Sequence, residues 1–378
     1  MNIGLLTLPF NNNYGGYLQA YALMTVLKKL GHVVCLIYRR NNRRSKKWII
    51  KNTIKNAVKI ILRKKIICIV PDQEKELRCK GKNMMRFVDR YIIPRSKPLY
   101  STSSMYKYLE ESCFDAIVVG SDQVWRPDYG QKHVQDFFLT ELRSLCHKKP
   151  LCVFYAASFG ADSPSYTEKE KKECGEAIKQ FEAISVRENK ALELITNFNW
   201  KSHNNPIVVL DPTFLLKKNH YNSLLPTSQS ISKGKIFCYF LDNSQESQEI
   251  QREAEKLTGM EIFSIIDTKN WQRPYYIMPS IEDWLSGIRD AEFVLTDSYH
   301  GMVFSIIFNK PFLVLCNAMR GSNRFTSVLS LLDLENRLIF DANNIWEKMN
   351  SEIVWKDINA KLDLEIKNSM DFIRKVLS

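Results

Sequence analysis

Two segments of this sequence place a side chain suited to proton transfer or anion binding at the end of an apolar run. His300 lies in LTDSYHG (295–301), where an imidazole can move a proton or neutralise an anion near neutral pH. Arg187 lies in SVRE (185–188), and its guanidinium can hold a carboxylate or phosphate through paired hydrogen bonds. Each segment also has a structural interpretation: an ion pair between Arg187 and Glu188, and a histidine behind residues that cap a helix.

A third segment, GSDQVWRP (120–127), combines the polar and aromatic groups typical of a sugar-binding site. Asp122 and Arg126 can bind hydroxyl groups, while the face of Trp125 can cover a sugar ring. The competing interpretation is that Ser121 and Asp122 only cap a helix. We favour binding, because Trp125 and Arg126 exceed what a cap requires.

Two glycine-containing loops add further candidates. In NYGGYLQA (13–20) the glycines allow backbone amides to approach a ligand at a helix N-terminus, although a structural turn explains the loop equally well. In NAMRGSNR (317–324) two arginines can bind phosphate, or simply make the loop basic. The candidate residues of these loops are Asn13, Tyr14, Gly15, Gln19, Arg320 and Arg324.

The elements that must position these residues form a repeating strand–helix pattern. A helical pattern over 17–30, ended by Gly31, joins two short apolar runs into a βαβ unit. These two runs are predicted strands at 3–8 and 33–38. Further strands are predicted at 116–119, 152–156, 184–186 and 207–210, and in a second series at 235–241, 261–266, 293–296 and 312–316. Each candidate segment follows a predicted strand, and open α/β sheets bind ligands at the carboxyl ends of their strands.

The sequence therefore predicts an α/β protein with two Rossmann-like domains whose parallel sheets face each other across a cleft. We place the N-terminal domain at 1–216, with a basic insertion at about 39–105, and the C-terminal domain at 217–378, ending in a helix over 350–378. The boundary falls in a polar stretch rich in Lys, Asn and Ser, as an exposed connection should.

Composition narrows the class of partner. The chain has 54 Lys and Arg against 41 Asp and Glu, so its formal charge of +13 predicts an anionic partner or surface. The nine cysteines show neither CxxC pairs nor a metal-binding spacing. The start of the chain has no basic region before its apolar run, and no stretch reaches the roughly 18 apolar residues of a membrane span. We therefore expect a cytoplasmic protein.

The basic insertion contains a predicted amphipathic helix at about 45–65. Trp48, Ile50, Ile54 and Val58 recur near helical spacing, and lysines fill the intervals. One hypothesis is that this helix lies on an anionic membrane surface, where each basic side chain contributes about 1 kcal/mol. The alternative is an amphipathic helix packed on the protein's own core. Nucleic-acid binding is not expected, because the basic run lacks interleaved aromatic residues.

In combination, the motifs resemble the polysaccharide pyruvyl transferase family. The similarity runs in order through NYGGYLQAYAL, FDAIVVGSDQVWRP, YAASFG, ISVRE, VVLDPTFLL and LTDSYHGMVFSIIFNKPFLV to the Asn-Arg-Phe run at Arg324. It covers most of residues 1–338 and is weakest over 39–100. The ordered series is far more specific than any single motif.

The resemblance implies a GT-B-like fold that transfers an enolpyruvyl group from phosphoenolpyruvate to two hydroxyls of a sugar, forming a pyruvate ketal. It implies no cofactor beyond phosphoenolpyruvate as co-substrate, no metal, and a sugar or lipid-linked oligosaccharide as acceptor. Carried over by motif, the catalytic pair is Arg187 and His300. The implied donor-binding residues are Arg187, His300, Arg324, Arg320 and Ser298, with Arg324 favoured over Arg320. The implied acceptor-binding residues, on the first domain, are Asn13, Tyr14, Gly15, Gln19, Asp122, Trp125 and Arg126.

Two other functions are compatible with the sequence. A glycosyltransferase that uses a nucleotide-sugar donor would share the architecture, because fold does not fix function. An inactive glycan-binding protein of the same pathway is the other, and the presence of both Arg187 and His300 argues against it.

Overall fold

The apolar runs of the first half form one parallel sheet in the computed structural model, which describes residues 1–11, 13–43, 45–62, 79–129, 133–142, 149–267, 276–316 and 322–378. Its strand order is β2-β1-β3-β4-β5-β6, and every pair is parallel. The strands are β1 (Asn2–Leu6), β2 (Val33–Ile37), β3 (Ala116–Asp122), β4 (Leu151–Ala157), β5 (Phe181–Val186) and β6 (Ile207–Val208). Their side chains are mostly buried, as expected of a sheet covered on both faces.

The helices of this half connect successive strands. They are α1 (Tyr14–Lys29), α2 (Lys46–Ile61), α3 (Lys82–Tyr91), α4 (Thr102–Ser112), α5 (Val134–Phe137), α6 (Glu168–Ala177) and α7 (Asn189–Asn197). Asn13 caps α1, since its side chain accepts a hydrogen bond from the Gly15 amide at 3.1 Å. After β6 the chain makes a short 3₁₀ helix, Pro212–Leu215, which Asp211 caps.

A second parallel sheet, ordered β11-β10-β9-β7-β8, forms from the second half. Its strands are β7 (Ile236–Tyr239), β8 (Ile262–Ser264), β9 (Phe293–Thr296), β10 (Phe312–Leu315) and β11 (Leu338–Ile339). Its helices are α8 (Lys218–Asn222), α9 (Gln245–Thr258), α10 (Ile281–Asp290), α11 (Tyr299–Phe308), α12 (Asn323–Leu331), α13 (Ile345–Asn350) and α14 (Trp355–Val376). The prediction of two α/β domains with parallel sheets is confirmed, and β11 is a strand that the sequence did not predict.

The last helix leaves the second half and packs against the first sheet. Phe372, Ile373 and Val376 of α14 meet Leu23 of α1 and Tyr155 of β4. Ser369 accepts a hydrogen bond from the Leu210 amide at 3.0 Å. The segment predicted as the end of the second domain thus also covers the first one. The predicted boundary at residue 216 otherwise stays a prediction.

The two domains also meet at the start of α1. The ring of Tyr14 stacks on Trp284 with centroids 5.4 Å apart, and the Tyr14 hydroxyl donates to the Pro279 carbonyl at 3.1 Å. These contacts hold the N-terminus of α1 against the second domain. The carboxyl ends of β3, β5 and β9 therefore approach one another.

Candidate active site

A single carboxylate, that of Asp211, joins the two domains at their strand ends. Its Oδ2 lies 3.0 Å from Nη1 of Arg187, which directly follows β5. The same oxygen lies 3.5 Å from Nε2 of His300 on α11, the outer limit of hydrogen-bond length. Its other oxygen accepts hydrogen bonds from the Thr213 amide at 3.1 Å and the Thr213 hydroxyl at 2.7 Å. Arg187 and His300, predicted as a pair from separate domains, are therefore brought to one atom.

Arg187 is buried, and part of its hydrogen-bonding capacity is unused. Its side chain is 1% exposed, and Nη1 also lies 3.3 Å from the Asp122 carboxylate. Within the described chain Nε and Nη2 have no hydrogen-bond partner. The guanidinium lies over the ring of Tyr299 at 4.4 Å, and the Tyr299 hydroxyl is likewise buried without a hydrogen-bond partner. Buried donors are normally satisfied, so these groups have hydrogen-bonding capacity that an anionic or polar ligand could use.

The opposite charges in this cluster stabilise each other's charged forms. Burial alone would raise the pKa of Asp211, but His300 and then Arg187 hold it below its usual range. Burial alone would lower the pKa of Arg187, yet Tyr299, Asp122 and Asp211 together raise it. At neutral pH the cluster therefore contains a charged guanidinium and a charged Asp211, both of them buried.

Glu188 and Arg324 are further charged residues beside Arg187 and Tyr299. Glu188 accepts a hydrogen bond from the Ser158 hydroxyl at 2.7 Å, and its second oxygen lies 3.7 Å from Nε of Arg187. Arg324, at the start of α12, lies 6.0 Å from the Tyr299 ring centroid. Burial and the nearby Arg187 lower the pKa of Arg324. Both residues line a small open cavity, together with Gly160, Asp162, Lys190 and Asn323.

The imidazole of His300 packs on the backbone of α1. A Cβ atom at residue 15 would collide with Nδ1 of His300, whereas one at Gly16 would meet open space. Gly15 is thus required by the close approach of the histidine. Gln19, one helical turn further, accepts a hydrogen bond from the Ser121 amide at 3.0 Å and donates to the Thr7 hydroxyl at 2.6 Å. Gly15 thus leaves room for the His300 ring, and Gln19 holds the backbone of β3 at Ser121.

Some predicted site residues have structural surroundings instead. The proposed stacking of Trp125 on a sugar is not supported, because Trp125 is fully buried, with its ring packed against Phe138, Phe154 and Phe159. Arg126 lies nearer the surface, where it donates to the Gln123 side chain at 3.0 Å. Ser298 caps α11 by accepting from the Gly301 amide at 3.3 Å, the structural alternative noted for this segment.

Other predicted residues lie in or near the cluster. Asp122 pairs with Arg187, while Tyr14 and Asn13 hold the start of α1. Arg320 lies outside the described residues. The roles of all these residues in donor or acceptor binding stay predictions.

Sequence reasoning missed Asp211, Glu188 and Tyr299. Asp211 stands in VVLDPTFLL, one of the segments that carried the family resemblance, and that was the available signal. Glu188 and Tyr299 each adjoin a predicted residue in the chain. Among the described residues, no group of three His, Cys, Asp or Glu side chains is arranged to hold a metal ion. In that same part of the chain no helix combines the length and apolar character of a membrane span.

Comparisons with known proteins agree with the two-domain α/β architecture. The UDP-N-acetylglucosamine 2-epimerase of Rickettsia bellii superposes with a TM-score of 0.53 at 10% identity, over 100% of this chain and 96% of the epimerase. The Neisseria meningitidis UDP-GlcNAc 2-epimerase bound to UDP-GlcNAc gives 0.51 at 12% identity, over 100% and 99%. The fold is thus GT-B-like, as predicted. A search of curated protein sequences found no match.

The family comparison is more specific than the fold. The model of the polysaccharide pyruvyl transferase family matches residues 13–317, a span that includes Asn13, Arg187, Asp211 and His300. Membership in this family implies a sugar or polysaccharide acceptor. The chain belongs to the polysaccharide pyruvyl transferase family and is accordingly a transferase of polysaccharide synthesis.

Proposed function

We propose that this enzyme transfers the enolpyruvyl group of phosphoenolpyruvate to two hydroxyls of one sugar, forming a pyruvate ketal on a surface-polysaccharide precursor. The observation that carries the proposal is the convergence of Arg187 and His300 on Asp211, with buried guanidinium donors left unpaired. A ligand with a carboxylate and a phosphate suits such donors, because an arginine can hold either group through paired hydrogen bonds.

The proposed chemistry needs charge stabilisation and proton transfer. Arg187 and Arg324 hold the carboxylate and phosphate and offset the charge that accumulates on the departing phosphate. Protonation of the methylene carbon produces an oxocarbenium-like centre at C2, which one sugar hydroxyl attacks. Phosphate then leaves and a second hydroxyl closes the ketal. His300 serves as an acid or base in these steps, and Asp211 orients it.

The test combines binding and turnover. Isothermal titration calorimetry with phosphoenolpyruvate should detect binding to the wild type, and an absence of binding would overturn the donor assignment. Phosphate release should then be followed with a panel of nitrophenyl hexosides, with mass spectrometry of the products. His300→Ala should lower turnover by about two to four orders of magnitude, the range for loss of a general acid or base. Near-normal turnover of that variant would refute the role of His300.

A nucleotide-sugar donor is the competing function, and the similarity to UDP-N-acetylglucosamine 2-epimerases is the observation in its favour. The same panel should be incubated with UDP-sugars in place of phosphoenolpyruvate, and nucleotide release measured. Nucleotide release without phosphate release would replace our proposal by glycosyl transfer. Binding of glycosides without any turnover would instead support an inactive glycan-binding protein.

We also propose that the enzyme works in the cytoplasm, peripherally on the inner face of the membrane, with a lipid-linked oligosaccharide as acceptor. Helix α2 has no buried residue, and Ile50, Ile54 and Ile61 on one side of it are 60%, 60% and 79% exposed. Five lysines occur along the helix, and the sequence has no acidic residue from 39 to 71. An exposed apolar stripe flanked by lysines suits an anionic lipid surface.

Vesicle sedimentation tests this location. The wild type should bind phosphatidylglycerol vesicles and bind phosphatidylcholine vesicles much less, because each basic side chain near an anionic surface contributes about 1 kcal/mol. Replacing Ile50, Ile54 and Ile61 together by Ser should weaken binding while leaving turnover on soluble glycosides unchanged. Equal sedimentation of wild type and variant would contradict the assigned surface.

A further inference from the structure

Glu188 is a buried carboxyl group, and only one of its two oxygens accepts a hydrogen bond from the residues that the structure describes. It is the N-cap residue of α7, yet its side chain makes no capping hydrogen bond. Oε1 accepts from the Ser158 hydroxyl at 2.7 Å, whereas Oε2 is buried without a hydrogen-bond partner in the described chain. A charged carboxylate in such a position would be costly, since buried charges need several hydrogen bonds or close pairing.

The nearest cation does not satisfy that need. Nε of Arg187 lies 3.7 Å from Oε2 of Glu188, beyond hydrogen-bond length. The same guanidinium is shared with Asp122 at 3.3 Å and Asp211 at 3.0 Å. Three carboxyl groups surround one guanidinium, and Glu188 has the longest contact of the three. Of the three carboxyl groups, Glu188 therefore loses the least favourable interaction when it is protonated.

Electrostatics point in the same direction. Burial raises the pKa of Glu188 above its ordinary value, and Arg187 and the Ser158 hydrogen bond offset this only in part. The pKa of Asp211 in the same cluster is instead lowered, because His300 and Arg187 outweigh its burial. Two neighbouring carboxyl groups with pKa values pushed apart are the usual sign of an acid beside a permanent anion.

The position of Glu188 suits an acid that acts on the donor. It lines the same cavity as Arg324 and Lys190, two cations able to hold a phosphate. The proposed reaction begins with protonation of a carbon atom, which needs an acid placed beside the bound phosphate ester. His300 instead lies 3.5 Å from Asp211, which contacts Nη1 of Arg187, whereas Glu188 lies nearest Nε.

We propose that Glu188 is the proton donor to the methylene carbon of phosphoenolpyruvate, and this inference rests on the function proposed above. The Glu188 O–H bond breaks as the C3–H bond forms, using the electrons of the C2–C3 double bond. The first sugar hydroxyl then bonds to C2 and gives its proton to His300. Phosphate departs with that proton, the second hydroxyl bonds to C2, and its proton returns to Glu188. Both side chains thus end in their starting protonation states.

The main test is Glu188→Gln, which keeps size and hydrogen bonding but cannot give up a proton. With phosphoenolpyruvate and the glycoside panel, kcat should fall by about two to four orders of magnitude. The Kd for phosphoenolpyruvate, measured by calorimetry, should change by less than about threefold, because Gln removes no cation. Glu188→Asp should recover part of the turnover. Glu182→Gln, at the exposed position of β5, is the matched control and should leave kcat unchanged.

A pH profile separates a proton donor from a structural residue. Wild-type kcat should fall as pH rises through the pKa of Glu188, and this limb should be absent in Glu188→Gln. Ser158→Ala removes a hydrogen bond that lowers the pKa of Glu188, so the limb should move to higher pH.

The outcomes distinguish a failure of the proposed function from a failure of the proposed role of Glu188. A wild type that neither binds phosphoenolpyruvate nor releases phosphate from it would overturn the donor assignment, and this inference with it. A wild type that turns over while Glu188→Gln retains normal kcat would overturn the role of Glu188 alone. Loss of donor binding in Glu188→Gln would also overturn it, because Glu188 would then be part of the binding site.

Discussion

Two buried Arg–Asp pairs follow strands of the same sheet, and they are built differently. Arg39, after β2, is 4% exposed and binds Asp136 through Nε at 2.8 Å. Its Nη1 donates to the Leu99 carbonyl at 3.3 Å and its Nη2 to the Asn42 side chain at 2.8 Å, so every nitrogen is used. In Arg187, after β5, only Nη1 forms a hydrogen bond with the residues that the structure describes.

We interpret the difference as that between a structural pair and a proposed ligand site. A fully paired guanidinium fixes loops in place, as Arg39 does for the segments at 40–42 and 99. A guanidinium that is equally buried but half paired is stable only because carboxylates surround it, and its free donors can gain hydrogen bonds from a ligand. Arg39 and Arg187 do not differ in burial or charge. They differ in how many of their nitrogens donate a hydrogen bond.

The largest expected effect comes from the same substitution at both arginines. Arg187→Lys keeps a positive charge beside Asp211 but removes the second arm of the guanidinium, so kcat/KM with phosphoenolpyruvate should fall by about 10²–10³, as when one fixed donor is lost. Arg39→Lys should leave kcat/KM within about twofold and instead lower the free energy of unfolding by about 1–3 kcal/mol. Steady-state kinetics and urea unfolding measure the two quantities. Similar kinetics for the two variants would invalidate the distinction drawn here.

The two aspartates give the next comparison. Asp211→Asn removes the anion on which Arg187 and His300 converge, and we expect a loss of about 10² in kcat because both groups lose their orientation. Asp136→Asn should destabilise the fold with little change in kcat. A variant of Asp211 that keeps full activity would show that the convergence on its carboxylate is not used in catalysis.

Asp211 also predicts a dependence of stability on pH. Its pKa is lower in the folded protein than the value of about 3.9 in an unfolded chain. The folded state therefore binds fewer protons, and the stabilisation is complete above the unfolded pKa and is lost as pH falls through the folded one. Urea unfolding between pH 6 and pH 3 should give a smaller loss of stability in Asp211→Asn than in the wild type. An unchanged slope would contradict the lowered pKa.

Part of this site could be predicted from sequence, and part could not. Arg187 and His300 each follow an apolar strand, and the parallel-sheet rule brings such positions to one edge. Asp211 follows a strand only two residues long, and its partners are 24 and 89 residues away, so no local pattern indicates the contact.

Trp125 was misjudged for a similar reason. Its surroundings come from β4 and from the residues that directly follow α5 and β4, and burial by distant elements leaves no local signal.

The fold was easier to predict from the sequence than the site, because strands leave a local signal and contacts between distant residues do not. Buried parallel strands are continuous apolar runs, so ten of the strands were predicted within a few residues of their ends. The eleventh, Leu338–Ile339, lies in an apolar run of only three residues, 338–340, whereas the equally short β6 lies in a run of four, 207–210. The packing of α14 on the first sheet depends on which surface remains open after both domains form, and that is a tertiary property.

The smallest expected effect tests how closely His300 must be held. Gly15→Ala puts a methyl group where the His300 ring now lies, so the imidazole must move relative to Asp211. We expect kcat/KM to fall by roughly 10- to 100-fold, since small displacements of a catalytic group are costly. Gly16→Ala is the matched control, because its added methyl group meets open space and alanine favours a helix by up to about 1 kcal/mol over glycine. It should keep full activity and melt at an equal or slightly higher temperature. Equal activity of the two variants would mean that the imidazole need not contact Asp211, and the site would then depend on Arg187 alone.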